Sequence, residues 1–270
     1  MVNTNNNAVS KLNNIILGEN VESALLLSTL FLCELIPEMY DMIGFEQNNP
    51  HHHLDVWQHT MAAVSSTPND MVLRLTMLLH DIGKPHCYTE DERGGHFYGH
   101  PQVSMDMARE ILLRLGYDNG TIESVTQLVL YHDADIQPRK KHLKRWINKI
   151  GEERLWQLIE VKRADANAQS ETFRQIKLLK LDAVSQMIDG IIEEQRLFSL
   201  KDLAVNGKDL IEVGVPQGTI IGGILNRLKD MVVNGVVDND KAKLLSITSQ
   251  LLNEYEPMKV NATNKDDSQK

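Results

Sequence analysis

The chain has 270 residues, 42% apolar and 24% charged, which excludes wholesale disorder and leaves room for one large or two modest domains. With 28 Lys and Arg against 37 Asp and Glu, its net charge of -9 argues against a general nucleic-acid coat protein, although not against a local basic patch. Gly 16 and Pro 8 are too few for a many-turned β-sandwich, and Cys33 and Cys87 sit in unrelated contexts, which excludes a disulfide framework and a thiolate zinc site.

Taken in chain order, residues 1–20 open Asn-rich and are expected to be a flexible tail. From Val21 a helical pattern begins, with Leu25, Leu26, Thr29, Leu30, Cys33 and Leu35 on one face, and Pro37 interrupts it. The apolar run from Ala24 to Cys33 is too short to span a bilayer, so no membrane partner is expected. Gly44 to His53 reads as a polar loop, followed by helices from Leu54 to Ser65 and from Met71 to His80. Gly83 and Pro85 end the second, and the stretch Cys87 to His100 suits a small hairpin or a lid loop. Further helices are expected over Val103 to Leu115, Ile122 to Tyr131, Leu143 to Ile150, Glu152 to Asn167 and Glu171 to Glu194. Composition shifts near Phe198, and Ile220 to Asn234 and Asp240 to Tyr255 close the chain before a polar tail over 257–270. Almost nothing alternates with period two, so the fold class is all-α.

The sharpest local feature is Leu78-Leu79-His80-Asp81-Ile82-Gly83-Lys84-Pro85. It places an imidazole beside a carboxylate at the end of an apolar helix, where unwinding lets both converge on one point. That donor set suits Mn, Fe, Zn, Ni or Co better than calcium. Taken alone, the pair fits a helix-capping histidine beside a solvated aspartate equally well. His59, His100, His132 and Asp165 add to it, each near an element end or on a face expected to be buried. One by one these suit core histidines and a salt-bridged aspartate; together they form a ligand series on separate helices, as helical bundles use for metal sites. His51-His52-His53 cannot all face one ion, and is read as surface.

These residues carry a resemblance. His59, His80-Asp81 and Asp165 match the H…HD…D signature of HD-domain metal-dependent phosphohydrolases, and His100 and His132 match the further histidines of members that hold two metals. Beyond the superfamily, Pro37-Glu38-Met39, Gly44-Phe45-Glu46-Gln47, Asp55 to Thr60 and His80 to Pro85 resemble the HD region of bacterial CCA-adding tRNA nucleotidyltransferases and poly(A) polymerases. Val205 to Leu210, Gly214 to Gly218 and Ile221 to Leu225 are similar to that family's helical tail. The likeness runs over roughly Leu30 to Leu252. No strand-plus-glycine nucleotide loop precedes it, and Asp238-Asn239-Asp240, though it spells D-x-D, is read as a helix N-cap.

The resemblance implies an HD-type helical bundle over 21–197 with a smaller helical extension over 198–256. It implies one or two divalent transition metals, with Mg as an alternative, held by His59, His80, Asp81, His100, His132 and Asp165, Asp81 bridging. The expected activity is a cytoplasmic metal-dependent phosphohydrolase, not a nucleotidyltransferase on its own, with Asp81 and Lys84 as catalytic residues. Lys84, His96, Arg139, Lys140 and Arg145 are expected to contact a nucleotide or an RNA-end phosphate. The alternatives are a non-catalytic tRNA- or RNA-binding module descended from a CCA-adding enzyme, whose affinity rests on Arg139, Lys140, Lys141 and Arg145, or an HD hydrolase for dNTPs or alarmones. A homo-oligomer is left open.

Overall fold

Helices form where the sequence gives them both a buried face and a cap. In the computed structural model, which describes residues 2–48, 54–92 and 94–263, thirteen α-helices and one two-stranded ribbon are seen among the described residues. They run α1 (Val2–Ile16), α2 (Val21–Leu27), α3 (Thr29–Leu35), α4 (Val56–Ser65), α5 (Met71–Leu79), β1 (Thr89–Asp91), β2 (Gly94–His96), α6 (His100–Leu115) and α7 (Asn119–Tyr131). Then follow α8 (Lys140–Ile150), α9 (Glu152–Asn167), α10 (Glu171–Leu197), α11 (Gly207–Glu212), α12 (Thr219–Val233) and α13 (Lys241–Thr263). The all-α class expected from the sequence is what the chain adopts, and no described helix is long and apolar enough to cross a membrane.

The chain divides into two units, Met1–Pro138 with Lys149–Ser185, and Arg139–Asn148 with Gln186–Lys270. In the first, α5 is apolar on nearly every side, and Leu75, Met77, Leu78 and Leu79 are all buried. Its start is fixed by Asp70, whose carboxylate accepts from the Leu73 amide at 2.9 Å, and α4 is capped likewise by Asp55 on Gln58 at 2.7 Å. A central helix of this kind has little freedom to rotate, so what stands at its C-terminus is well placed. Gly83 then lets the chain pass against α6: a Cβ there would lie 2.7 Å from the Ser104 amide nitrogen and 2.9 Å from its hydroxyl. The Gly83 amide donates to that hydroxyl at 3.0 Å, which ties the end of α5 to the start of α6.

In the second unit, Leu210, Ile224, Leu228 and Leu244 form a separate fully buried cluster. Asn206 and Asp209 make a capping box at the start of α11. Asp240 accepts from the Lys243 amide at 3.0 Å, the N-cap role expected of the D-x-D triplet.

The structure departs from the expected boundaries at four places. Residues 2–16 form α1 rather than a tail, because Leu12 and Ile16, one helical turn apart, are fully buried. The buried Arg74 guanidinium holds its end, donating to the Ile16 carbonyl at 2.5 Å and to that of Gly18 at 3.1 Å. The unit boundary falls inside α10 rather than at 197, and most of α8 belongs to the second unit instead of the first. At the C-terminus, α13 runs to Thr263, into the stretch expected as a tail. His51, His52 and His53 lie outside the described residues.

Candidate metal centre and basic groove

Five helices of the first unit bring six side chains together. His59 comes from α4, His80 from the C-cap of α5 with Asp81 following it, His100 from the first turn of α6, His132 from the C-cap of α7, and Asp165 from α9. They form two triads, His59 with His80 and Asp165, and Asp81 with His100 and His132. Asp81 faces both. Its Oδ2 stands 3.1 Å from His80 Nε2 and 3.5 Å from His59 Nε2, and its Oδ1 stands 3.4 Å and 3.6 Å from the Nε2 atoms of His100 and His132. Asp165 Oδ1 lies 3.1 Å from His59 Nε2 and 3.9 Å from His80 Nε2.

Backbone carbonyls fix every ring. The Nδ1 atoms of His80, His100 and His132 contact the carbonyls of Met77, Phe97 and Val129 at 2.7, 2.8 and 2.6 Å, and His59 Nδ1 contacts that of Ala168 at 3.2 Å. A carbonyl only accepts, so each Nδ1 carries a proton, and in the neutral ring each Nε2 presents a lone pair. These lone pairs face one another, His59 to His80 at 3.3 Å and His100 to His132 at 3.1 Å, with carboxylate oxygens as their other neighbours. Acceptors gathered against acceptors in a buried space need positive charge among them. Both Asp81 oxygens are buried and make ion-pair contacts but no well-aligned hydrogen bond. The residues therefore fit a divalent cation: neutral imidazoles oriented by carbonyls, with carboxylates between them.

Burial pushes the Asp81 carboxyl up. The electrostatic influence of the neighbouring His80 ring and of the Lys84 ammonium, then the His100 and His132 contacts, outweigh burial and hold it well below the usual carboxylate range. Asp165 is lowered in the same way, burial being overcome first by His59, then by Lys177 and His80. His100 and His132 are split: burial lowers both, but Asp81 carries His100 above its ordinary value while burial prevails at His132.

Of the other candidates, Lys84 belongs to the cluster, with Nζ 2.8 Å from Asp81 Oδ2 and 2.8 Å from Gln47 Oε1. His96 is engaged elsewhere, its Nε2 2.9 Å from Asp91 and its ring stacked on Tyr98. The hairpin allowed for at Cys87 to His100 is the β1–β2 ribbon, pairing Thr89 with His96 and Asp91 with Gly94. Lys140 and Arg145 lie in the second unit, where they line a groove of about 680 Å³ together with Lys141, Lys144 and Lys243; Arg139 is not part of its wall. Lys162, Lys177 and Lys180 have no motif around them, and the sequence offered no signal for them beyond the amphipathic spacing of their helices. They line a cavity of about 230 Å³ that Asp165 also borders. Burial pushes Lys162 down to about 8, with Asp165 and Asp133 opposing.

Comparison with known proteins bears on the activity. The family description "tRNA nucleotidyltransferase domain 2" matches residues 99–248, more than half of the chain. An A-adding tRNA nucleotidyltransferase of Deinococcus radiodurans is 28% identical over 227 residues, 79% of this chain and 50% of that protein. A CC-adding tRNA nucleotidyltransferase of Thermus thermophilus is 32% identical over 118 residues, covering 41% and 27%. A CCA-adding enzyme of Ligilactobacillus salivarius is 46% identical over 57 residues, covering 21% and 14%. The chain thus spans about half the length of the first of these relatives, and less of the others. The likeness to the CCA-adding enzymes read from the motifs holds. The phosphohydrolase expectation does not: the similar proteins carry nucleotidyltransferase names, and the catalytic roles assigned to Asp81 and Lys84 for hydrolysis go with it.

Proposed function

Because the chain belongs to the tRNA nucleotidyltransferase domain 2 family, we propose that it is a tRNA-binding helical body that also carries a divalent-metal centre. The observation that carries this reading is the basic groove, which lies within the family's matched region. In a chain of net charge -9, five cations against one acid, Asp238, around a single groove are a local inversion of the field. Lys140, Lys141, Lys144 and Arg145 fall on neighbouring turns of α8, so they repeat along a line as phosphates do along a strand. Such contacts position a phosphodiester backbone without reading its sequence, which suits a module that accepts many tRNAs.

The six-residue cluster would hold one or two divalent ions, with Asp81 between the triads. Four imidazoles favour Mn, Fe, Co, Ni or Zn over Mg. A bound ion supplies fixed positive charge there. The chain's own residues orient it: the four carbonyls set the tautomers, and Lys84 balances Asp81. The Cys33 and Cys87 thiols are free, in keeping with a cytoplasmic setting.

The test is fluorescence anisotropy of a labelled tRNA transcript titrated with the full chain. Saturable binding is expected, weakened by more than about tenfold in Lys141→Glu/Arg145→Glu. The control Lys201→Glu/Lys208→Glu, outside the groove, should change it far less. Equal loss in both pairs, or no binding by the wild type, refutes the groove.

A further inference from the structure

The most exposed large apolar side chain among the described residues is Leu27, at 88%, and Leu30 at 73% and Leu26 at 61% stand beside it. Val21 and Leu25 of α2 and Leu32 and Cys33 of α3 take the buried side of these helices, which leaves the three leucines facing outward. The two helices run on through Ser28, whose amide donates to the Ala24 carbonyl at 3.0 Å and whose carbonyl accepts from the Leu32 amide at 2.9 Å. Helical spacing therefore holds across the join. Ser23, Leu27, Leu30 and Glu34 follow one another at intervals of four, three and four residues, the spacing of a seam between two helices. Ser23 and Glu34 are exposed as well. Leucines scattered singly over a surface need no explanation, but three on successive turns form a face that gains from being covered.

We propose that this face binds its counterpart on a second copy of the chain, the two α2–α3 segments lying antiparallel across a two-fold axis. The order of residues along the seam points to this occupant. It carries a hydroxyl at one end, a carboxylate at the other and leucines between. A two-fold axis reverses that order, so Ser23 of each copy meets Glu34 of the other, and Leu27 of each meets Leu30 of the other. Each hydroxyl then donates to a carboxylate, and the four leucines close into one apolar centre flanked by Leu26. A parallel pair would instead set Glu34 against Glu34 and leave two like charges together without a donor. Glu22, the other acid of α2, lies off the seam, where its carboxylate accepts from the Ser65 hydroxyl at 3.3 Å. A foreign helix would have to bring both a leucine pair and a donor for Glu34 in matching order. The face supplies both to itself.

The test is sedimentation equilibrium of the full chain over a range of concentrations. The wild type is expected to dimerise reversibly. Leu27→Glu/Leu30→Glu should weaken association by more than about a hundredfold, because it places acids at the centre of the contact. Leu27→Ser/Leu30→Ser, which adds no charge, should weaken it by about tenfold or more. Both should melt as the wild type does, since these side chains are exposed in the single copy. Leu113→Glu, at an exposed leucine of α6 outside the face, should dimerise unchanged. Cysteine pairs in a Cys87→Ser background read the direction separately. Chains with Ser23→Cys mixed with chains with Glu34→Cys should oxidise to a mixed disulfide dimer, and neither alone should crosslink. A wild type that stays monomeric up to about 100 μM overturns the pairing and leaves the face to a different protein. A dimer that neither leucine variant weakens overturns it too, and crosslinking of Ser23→Cys to itself overturns the antiparallel order.

Discussion

The salt dependence of tRNA binding can be worked out from the groove before it is measured. Five cations line it, Lys140, Lys141, Lys144, Arg145 and Lys243. Two are already paired within the protein, Lys140 with Glu194 and Lys243 with Asp238. Lys144 is lowered by burial, with Lys140 adding repulsion and Glu194 opposing. Between three and five phosphates are therefore neutralised, according to whether the internal pairs yield to RNA. Each contributes about -0.9 to the slope of log K against log salt on a duplex, so the slope should lie between about -2.7 and -4.5. Raising salt from about 50 to about 200 mM should then cost between about 40-fold and about 500-fold in affinity. Lys141→Ala/Arg145→Ala removes two cations outside those pairs and should flatten the slope by about 1.8. Anisotropy with a tRNA transcript at four or five salt concentrations measures both. A slope near zero, or one that the double variant does not flatten, would refute backbone neutralisation by this groove.

Metal removal should destabilise the first unit: an ion present at about 1,000 times its Kd adds about 4 kcal/mol. Since about 1 kcal/mol moves Tm by about 2–4 °C at this size, chelation should lower Tm by about 8–16 °C, and Asp81→Asn should remove the difference. A melting curve indifferent to EDTA in a protein shown to contain metal would sink this. Gly83→Ala forces a Cβ to 2.7 Å from the Ser104 amide and should cost about 1–3 kcal/mol while lowering metal content, because α6 carries His100; denaturant titration and elemental analysis check it. The Arg114 guanidinium grips Glu38 through two bonds of 2.8 Å and holds its carboxyl below its ordinary value. A lowered folded value means stability present above the unfolded value and lost as pH falls through the folded one. Glu38→Gln should therefore cost up to about 1 kcal/mol at pH 7 and almost nothing near pH 2, and an equal cost at both would refute the pair.

What could be read from the sequence is what local rules determine. The helices α4 to α7 and α9 have strong apolar periodicity and visible caps, so their ends, and the histidines standing at those ends, were legible. The first helix was not, because its Asn-rich start hides Leu12 and Ile16, whose burial depends on neighbours such as Arg74 far along the chain. From the sequence, His96 suits a substrate contact because it sits in a polar loop. The ribbon instead turns it onto Asp91 and Tyr98, an outcome set by strand register. The lysine cavity lies at a meeting of α9, α10 and the segment after α7, and no spacing in one dimension shows such convergence. The activity is not legible in the motifs for a different reason. Ligand spacing reports which atoms meet, and a cluster able to hold a metal can stand in a protein whose relatives are named for another reaction.

The cluster itself shows how few instructions suffice. Three of its histidines obey one rule: His80, His100 and His132 each turn Nδ1 back to the carbonyl three residues earlier. His80 and His132 stand at helix C-termini, where that carbonyl is among the groups left without a full set of partners, and His100 turns back to Phe97 just before α6 begins; in each case the bond fixes the ring. One local bond sets tautomer and direction together, and three helix ends then aim three Nε2 atoms inward without any dedicated acid behind them. His59 is the exception. It lies within α4, and its Nδ1 partner is the Ala168 carbonyl at the end of α9, the helix that also supplies Asp165. The first triad thus depends on α9 twice, through a ligand and through the bond that orients another ligand. The second depends on no element beyond those that carry its own residues. Loosening the end of α9 should therefore empty the His59–His80–Asp165 triad first, and a chain that loads its second triad alone after such a change would bear out this ordering.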